Sequence, residues 1–163
     1  MSALDPQMNI EDYLIDHSGF AWTDLLDDWR WLVPSSAAVW LMNRFAELVL
    51  VLGDGSVSYL ATSAGALRNI ASSPQDLIVK IDKDENVREW LMMPLVDRCV
   101  AAGMTLAANQ CYGFTHPPRL GGKHDIANVE SADIAGYLAF MGQVHRQIRD
   151  LPDGTPIKPV ALG

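Results

Sequence analysis

The periodicity of the chain changes once, at Ser73-Pro74, and that change limits the folds open to it. Before it lie four short apolar runs of strand length, Ala38–Met42, Leu48–Leu52, Val57–Ala61 and Ala66–Ala71. Asp54-Gly55 separates the second from the third, and such a pair between apolar runs signals a hairpin whose tight turn needs positive φ at both central residues. After Ser73 the apolar residues recur at helical spacing. Ser73 is placed as an N-cap with Pro74 at the first helical position, and Leu77, Ile78 and Ile81 share a face. Residues 86–102 carry Val87, Leu91, Leu95 and Cys99 at four-residue steps and close on Gly103; Pro94 either kinks this helix or begins another. Residues 131–150 read as the last helix, with Ile134, Leu138, Met141, His145 and Ile148 as its stripe and Ser131 and Asp133 at its N-terminal end. This order predicts an α+β fold: an antiparallel meander packed by several helices in a single domain.

The flanking segments are shorter. Ile10–Ile15 is a short helix capped by Asn9, with Gly19 beyond it. Residues 23–31 form a second helix with Leu25, Leu26 and Trp29 facing inward, and Pro34 stops it. Residues 1–34 thus form an acidic, tryptophan-rich segment packed on the domain of residues 35–163. Residues 110–128 contain Gly113, Pro117, Pro118, Gly121 and Gly122 and read as largely loop. Leu151-Pro152-Asp153-Gly154 then turns the chain into a tail.

Charge narrows the function classes. The chain carries 12 Lys+Arg against 20 Asp+Glu, a net −8. That excludes sequence-independent nucleic-acid binding and docking on an anionic membrane, both of which need clustered cations. The first thirty residues hold seven carboxylates against one arginine, a balance of −6, while the remainder hold thirteen against eleven, or −2. The N-terminus shows no basic and apolar signal pattern, and no apolar run reaches the ~20 residues that span a bilayer. Two cysteines, Cys99 and Cys111, match no metal or redox spacing. A reduced, cytoplasmic setting is the expectation.

Few residue patterns carry chemistry. Leu120-Gly121-Gly122-Lys123-His124 invites a phosphate-loop reading, but the first glycine of that motif is replaced by Pro117 and its Ser/Thr by His124. His116, His124, Cys111 and His145 show no metal-ligand spacing, so neither a metal nor a cofactor is expected. A Cys111, His116 and Asp125 nucleophile arrangement has no nucleophile elbow or oxyanion nest to support it, and no catalytic residues are assigned. His145 reads as a core histidine that pins the Gly/Pro loop by hydrogen-bonding its carbonyls. The charges at residues 80–88 alternate in sign, as on a solvated face.

Three of five tryptophans, Trp22, Trp29 and Trp31, crowd beside Asp24, Asp27 and Asp28. One reading is a helix stapled to the sheet by its indoles. The other is a partner-binding edge, because tryptophan dominates interface hot spots and carboxylates steer a basic partner.

Several motifs resemble one bacterial family: Asn43-Arg44-Phe45, Asp54-Gly55-Ser56-Val57, Trp90-Leu91-Met92, Cys111-Tyr112-Gly113-Phe114, Pro117-Pro118-x-Leu120-Gly121-Gly122, Asn128 and His145-x-Gln147-Ile148. It is the family of the C-terminal domain of type VI secretion immunity proteins, often met beside a GAD-like domain. The likeness spans roughly residues 25–157, and the Pro-Pro-x-Leu-Gly-Gly and His-x-Gln-Ile patterns are its most specific pieces. The family often has Gly-Asp after Asn-Arg-Phe, where this chain has Ala46-Glu47. The resemblance implies a non-enzymatic protein that neutralises a cognate toxic effector, in the studied case a DNase. With the residue reading it gives a basic effector held at Trp22, Asp24, Asp27, Asp28, Trp29 and Trp31. The alternative is a regulatory or small-ligand module, with a pocket between the Gly/Pro loop and the last helix formed by His116, Pro117, Pro118, Arg119, Gly121, Gly122, Lys123 and His145. A third reading is a hydrolase using Cys111 or the histidines.

Overall fold

The computed structural model describes residues 9–151, so Pro152-Asp153-Gly154 and the N-terminal Met1–Pro6 lie outside the described residues. Four strands, β1 (Ala38–Met42), β2 (Leu48–Val51), β3 (Val57–Ala61) and β4 (Ala66–Ala71), form an antiparallel meander in that order. Among the described residues five α-helices, α1 (Trp22–Leu25), α2 (Pro74–Ile81), α3 (Asp84–Trp90), α4 (Met93–Ala101) and α5 (Ile134–Ile148), accompany the sheets in an α+β fold. A second antiparallel ribbon pairs β5 (Gln110–Phe114) with β6 (Val129–Asp133).

The central strand β2 explains its unbroken apolar run, because the meander is covered on both faces. Leu48 and Leu50 point into the main core with Met42, Leu60, Leu138 and Met141. Val49 points the other way, to a smaller core with Val57, Tyr59, Leu77 and Trp90. Alternating side chains of a strand face opposite sides, so a strand buried on both faces must be apolar throughout.

Turn chemistry follows the residues closely. Gly55 N donates to the Leu52 carbonyl at 2.9 Å, and Asp54 Oδ1 accepts from Ser56 N at 2.9 Å. Only Gly55 of the Asp-Gly pair has positive φ, at 87°, so the two-residue primed turn expected here is replaced by a longer loop that closes on a left-handed glycine. The β1–β2 turn is organised by Asn43, whose Oδ1 accepts from Phe45 N at 2.9 Å and Glu47 N at 3.0 Å. Ala46 in that turn has φ 55°, the conformation glycine adopts without strain.

In the helical half, Ser73 caps α2 through its hydroxyl and Asp76 N, as its position before Pro74 predicts. Pro94 begins a new helix rather than kinking a continuous one: α3 ends before Leu91, Met92 adopts φ 51° ψ 39°, and Pro94 lies in the first turn of α4. Two expectations fail. Residues 110–114 are strand rather than loop, and residues 131–133 belong to β6, with Asp133 rather than Ser131 capping α5 through Gly136 N at 2.8 Å. Gly113 obscured β5. It is a glycine because the Tyr137 ring lies against it, 2.7 Å from where a Cβ would stand. Tyr112 N donates to the Arg44 carbonyl at 2.8 Å, tying this ribbon to the β1–β2 turn. Among the described residues no helix is long and apolar enough to cross a membrane.

Candidate functional site

Residues 22–31 divide into α1 and a 3-10 turn at Asp27–Trp29, broken at Leu26, and they lie on α5 rather than on the sheet. Two indoles do the fastening. Trp29 Nε1 donates to the Leu138 carbonyl at 2.9 Å and Trp31 Nε1 to the Gly142 carbonyl at 3.3 Å, one helical turn further along α5. The two rings stack at 5.9 Å. Gly142 permits this approach, since a Cβ there would stand 2.7 Å from the Asp28 carbonyl oxygen. Trp29 is 0% exposed and is therefore corrected from a partner contact to a core anchor. Trp31 and Trp22 are half-buried, Trp22 lying against His17 and Phe20 at 5.9 and 5.7 Å. Asp24 and Asp27 are exposed, and no ion pair among the described residues includes them. Asp28 is half-buried and accepts from Gln143 Nε2 at 3.3 Å. What the platform presents outward is carboxylate.

The Gly/Pro loop is closed on itself. Asn128 Oδ1 accepts from Thr115 Oγ1 at 2.6 Å and His116 N at 2.9 Å, while its Nδ2 donates to the carbonyls of His116 and Lys123, both at 2.9 Å. The His116 ring bonds the Leu120 carbonyl at 2.9 Å. Pro117 is buried, Pro118 opens the 3-10 turn Pro118–Leu120, and Gly121 closes it at φ 98°. Gly122 sits so tightly that a Cβ would stand 1.8 Å from the His116 carbonyl oxygen. Lys123 and His124 are exposed, the latter set edge-on to Phe114 at 5.1 Å.

The loop does reach the last helix, but through Arg119. Its Nη2 donates to the carbonyls of Arg149 at 2.8 Å and Leu151 at 2.7 Å, serving acceptors left free at the helix C-terminus. His145 is not the pin expected for the Gly/Pro loop. It is fully buried beneath the β3–β4 turn, where Gly65, at φ 66°, would place a Cβ 2.5 Å from its Cγ. Burial, assisted by the Arg119 charge, lowers its pKa to about 4, so the ring is neutral. Of the residues expected to form a pocket, His116 and Arg119 are engaged by backbone carbonyls, His145 is buried close enough to Arg119 to feel its charge, and Lys123 is exposed. Cys111 is buried in β5, and burial followed by the Asp133 charge pushes its thiol up to about 12, leaving it a poor nucleophile.

One cluster was missed in the sequence. Glu47, 5% exposed, accepts from Tyr59 Oη at 2.5 Å, Ser63 Oγ at 2.7 Å and Ser63 N at 3.1 Å. Asn43 Nδ2 donates to Tyr59 Oη at 3.2 Å and to the Trp90 carbonyl at 2.9 Å, joining the meander to α3. Burial first, then the Glu47 charge, raises the Tyr59 phenol well above its ordinary pKa. Glu47, Tyr59 and Ser63 of this cluster line a cleft of about 400 Å³ whose rim includes Arg68, Glu89 and His124. The available signal was an acid directly abutting the apolar run Leu48–Leu52, two residues after the motif Asn43-Arg44-Phe45.

No curated protein matches the chain. Residues 71–145 do match a family model, a narrower span than the motifs suggested, running from the end of β4 to His145 and including the Gly/Pro loop. That model is described as T6SS immunity protein Tdi1, C-terminal, the family that the motifs resemble.

Proposed function

We propose that this protein is a type VI secretion immunity protein that binds and neutralises a cognate toxic effector by occlusion, without catalysis of its own, in the cytoplasm of the producing cell. The family match over residues 71–145 supports the class of protein. The observation that carries the binding edge is the fastening of residues 22–31 to α5 by the Trp29 and Trp31 indoles while Asp24 and Asp27 stay exposed. Trp29 and Trp31 hold the segment through α5 carbonyls, so Asp24 and Asp27 are presented on a fixed backbone, outside any ion pair among the described residues. Such pre-placed charges speed encounter with a basic partner and act before short-range contacts form. A basic effector, such as a nuclease that grips phosphates, suits them. Half-buried Trp22 and Trp31 supply the apolar part of that edge.

The test uses the product of the reading frame adjacent to this one as effector. Replacing Asp24, Asp27 and Asp28 by Asn is expected to lower the association rate about tenfold at low salt and to flatten its salt dependence. An unchanged rate removes the acidic edge from the reading. Failure of the wild-type proteins to associate at all removes the effector reading itself.

A further inference from the structure

The Glu47 carboxylate is buried without a cation. Its three donors, the Tyr59 hydroxyl, the Ser63 hydroxyl and the Ser63 amide, are all neutral, and no ion pair among the described residues includes it. Both carboxylate oxygens accept hydrogen bonds from these donors. Withdrawing a carboxylate charge from water is costly, and neutral hydrogen bonds offset only part of that.

Glu47 is not sealed off. It forms one wall of the cleft of about 400 Å³, together with Tyr59, Ser63, Arg68, Glu89 and His124. Arg68 does not neutralise Glu47, because it pairs with Glu89 at 3.0 Å, on the rim where both side chains are more than half exposed. With those two cancelling, Glu47 is left as an uncompensated negative charge in a concavity. The cleft also shows its tolerance for a cation: the Arg68 guanidinium stands 5.9 Å from the centre of the Tyr59 ring, within cation–π range.

We propose that this cleft binds a guanidinium or primary ammonium group, with Glu47 as counter-charge, the Tyr59 ring as its face and Glu89 at the mouth. Arg68 is the internal competitor for that seat. The group can arrive on a free small cation or on a basic side chain of a partner protein, and recognition is the same in both cases. The site stands independently of the acidic edge on α5.

The test is a titration of isotope-labelled protein, followed by amide shifts, with three probes: agmatine, a capped Gly-Arg-Gly peptide and its citrulline counterpart. Saturable shifts at Ser63, Ala64 and Arg68 are expected with a charged probe, with dissociation constants on the order of 1–10 mM for so small a ligand. The citrulline peptide should be silent. Binding by the arginine peptide assigns the seat to a partner's side chain; binding by agmatine alone assigns it to a free cation. Glu47→Gln should weaken binding at least tenfold. Because Glu47 is buried and its variant can fail to fold, exposed Arg68→Ala provides the second arm and should tighten binding several-fold. No saturable shift with either charged probe, an equal response to citrulline, or weaker binding by Arg68→Ala each overturns the site.

Discussion

Residues 22–31 and residues 116–128 are both irregular in backbone, yet they are fixed by opposite means. The first is held by another element. Its indoles donate to the Leu138 and Gly142 carbonyls, its Leu26 and Trp29 enter the main core, and its carboxylates remain outside. The second is held largely by itself, through four hydrogen bonds to the Asn128 side chain and a glycine that leaves no room for a methyl group. A segment fastened from beneath keeps its outer face free for another task. A loop whose side chains satisfy its own carbonyls has used most of its polar capacity already. Unusual composition therefore marks two different things here: a mounting in one region and a self-supporting turn in the other.

The largest expected effect breaks the mounting. Trp29→Ala removes a fully buried indole and its bond to α5, and should destabilise the fold by about 3–5 kcal/mol in chemical denaturation. A loss below about 1 kcal/mol would show that the segment is not anchored through this ring.

Next comes the histidine between the two regions, 6.0 Å from the Trp29 ring and close enough to Arg119 to feel its charge. The folded state holds His145 at a pKa of about 4 against an ordinary 6.5. Between those values the unfolded chain takes up a proton that the folded chain refuses, so stability falls as pH is lowered from about 6.5 to about 4 and levels below. The full amplitude is at most about 3 kcal/mol. His145→Gln should flatten this part of the stability profile; an identical pH slope in both proteins would assign the loss to other groups.

A smaller effect tests the self-supporting loop. Gly122→Ala cannot be seated without moving the His116 carbonyl, which breaks its bond from Asn128. We expect about 1–3 kcal/mol of destabilisation, with faster amide exchange confined to residues 116–128. Exchange that quickens equally across α5 would mean the loop supports the helix rather than itself.

The smallest effect sharpens the contrast. Asp24→Asn with Asp27→Asn should change stability by less than about 0.5 kcal/mol, because both are exposed and outside any ion pair among the described residues. A larger loss would mean these carboxylates serve the fold and are not free for a partner.

Local rules were legible wherever a few adjacent residues decide the outcome. Ser73-Pro74 starts α2, Asp54-Gly55 turns the hairpin, and the four strand-length runs of the meander become β1 to β4. The β5–β6 ribbon was not legible, since Gly113 reads as a breaker until Tyr137 is known to lie over it. The same holds at the sites. Crowding of tryptophan and aspartate drew attention to residues 22–31, but which of them face water depends on α5, more than a hundred residues away in the chain. The Glu47 cluster joins residues 12 and 16 positions apart, from two turns and a strand, which strand and helix periodicity does not bring together.

By itself the sequence determined the α+β class, the meander, most of the helices and the family likeness, because strand and helix periodicity and turn residues act over a few neighbours. It also located most of the negative charge in the first thirty residues. Only the tertiary structure decided what that charge is attached to. Burial is a property of the whole packed chain: it took Trp29 out of the surface, left Asp24 and Asp27 on it, and enclosed Glu47 without a cation.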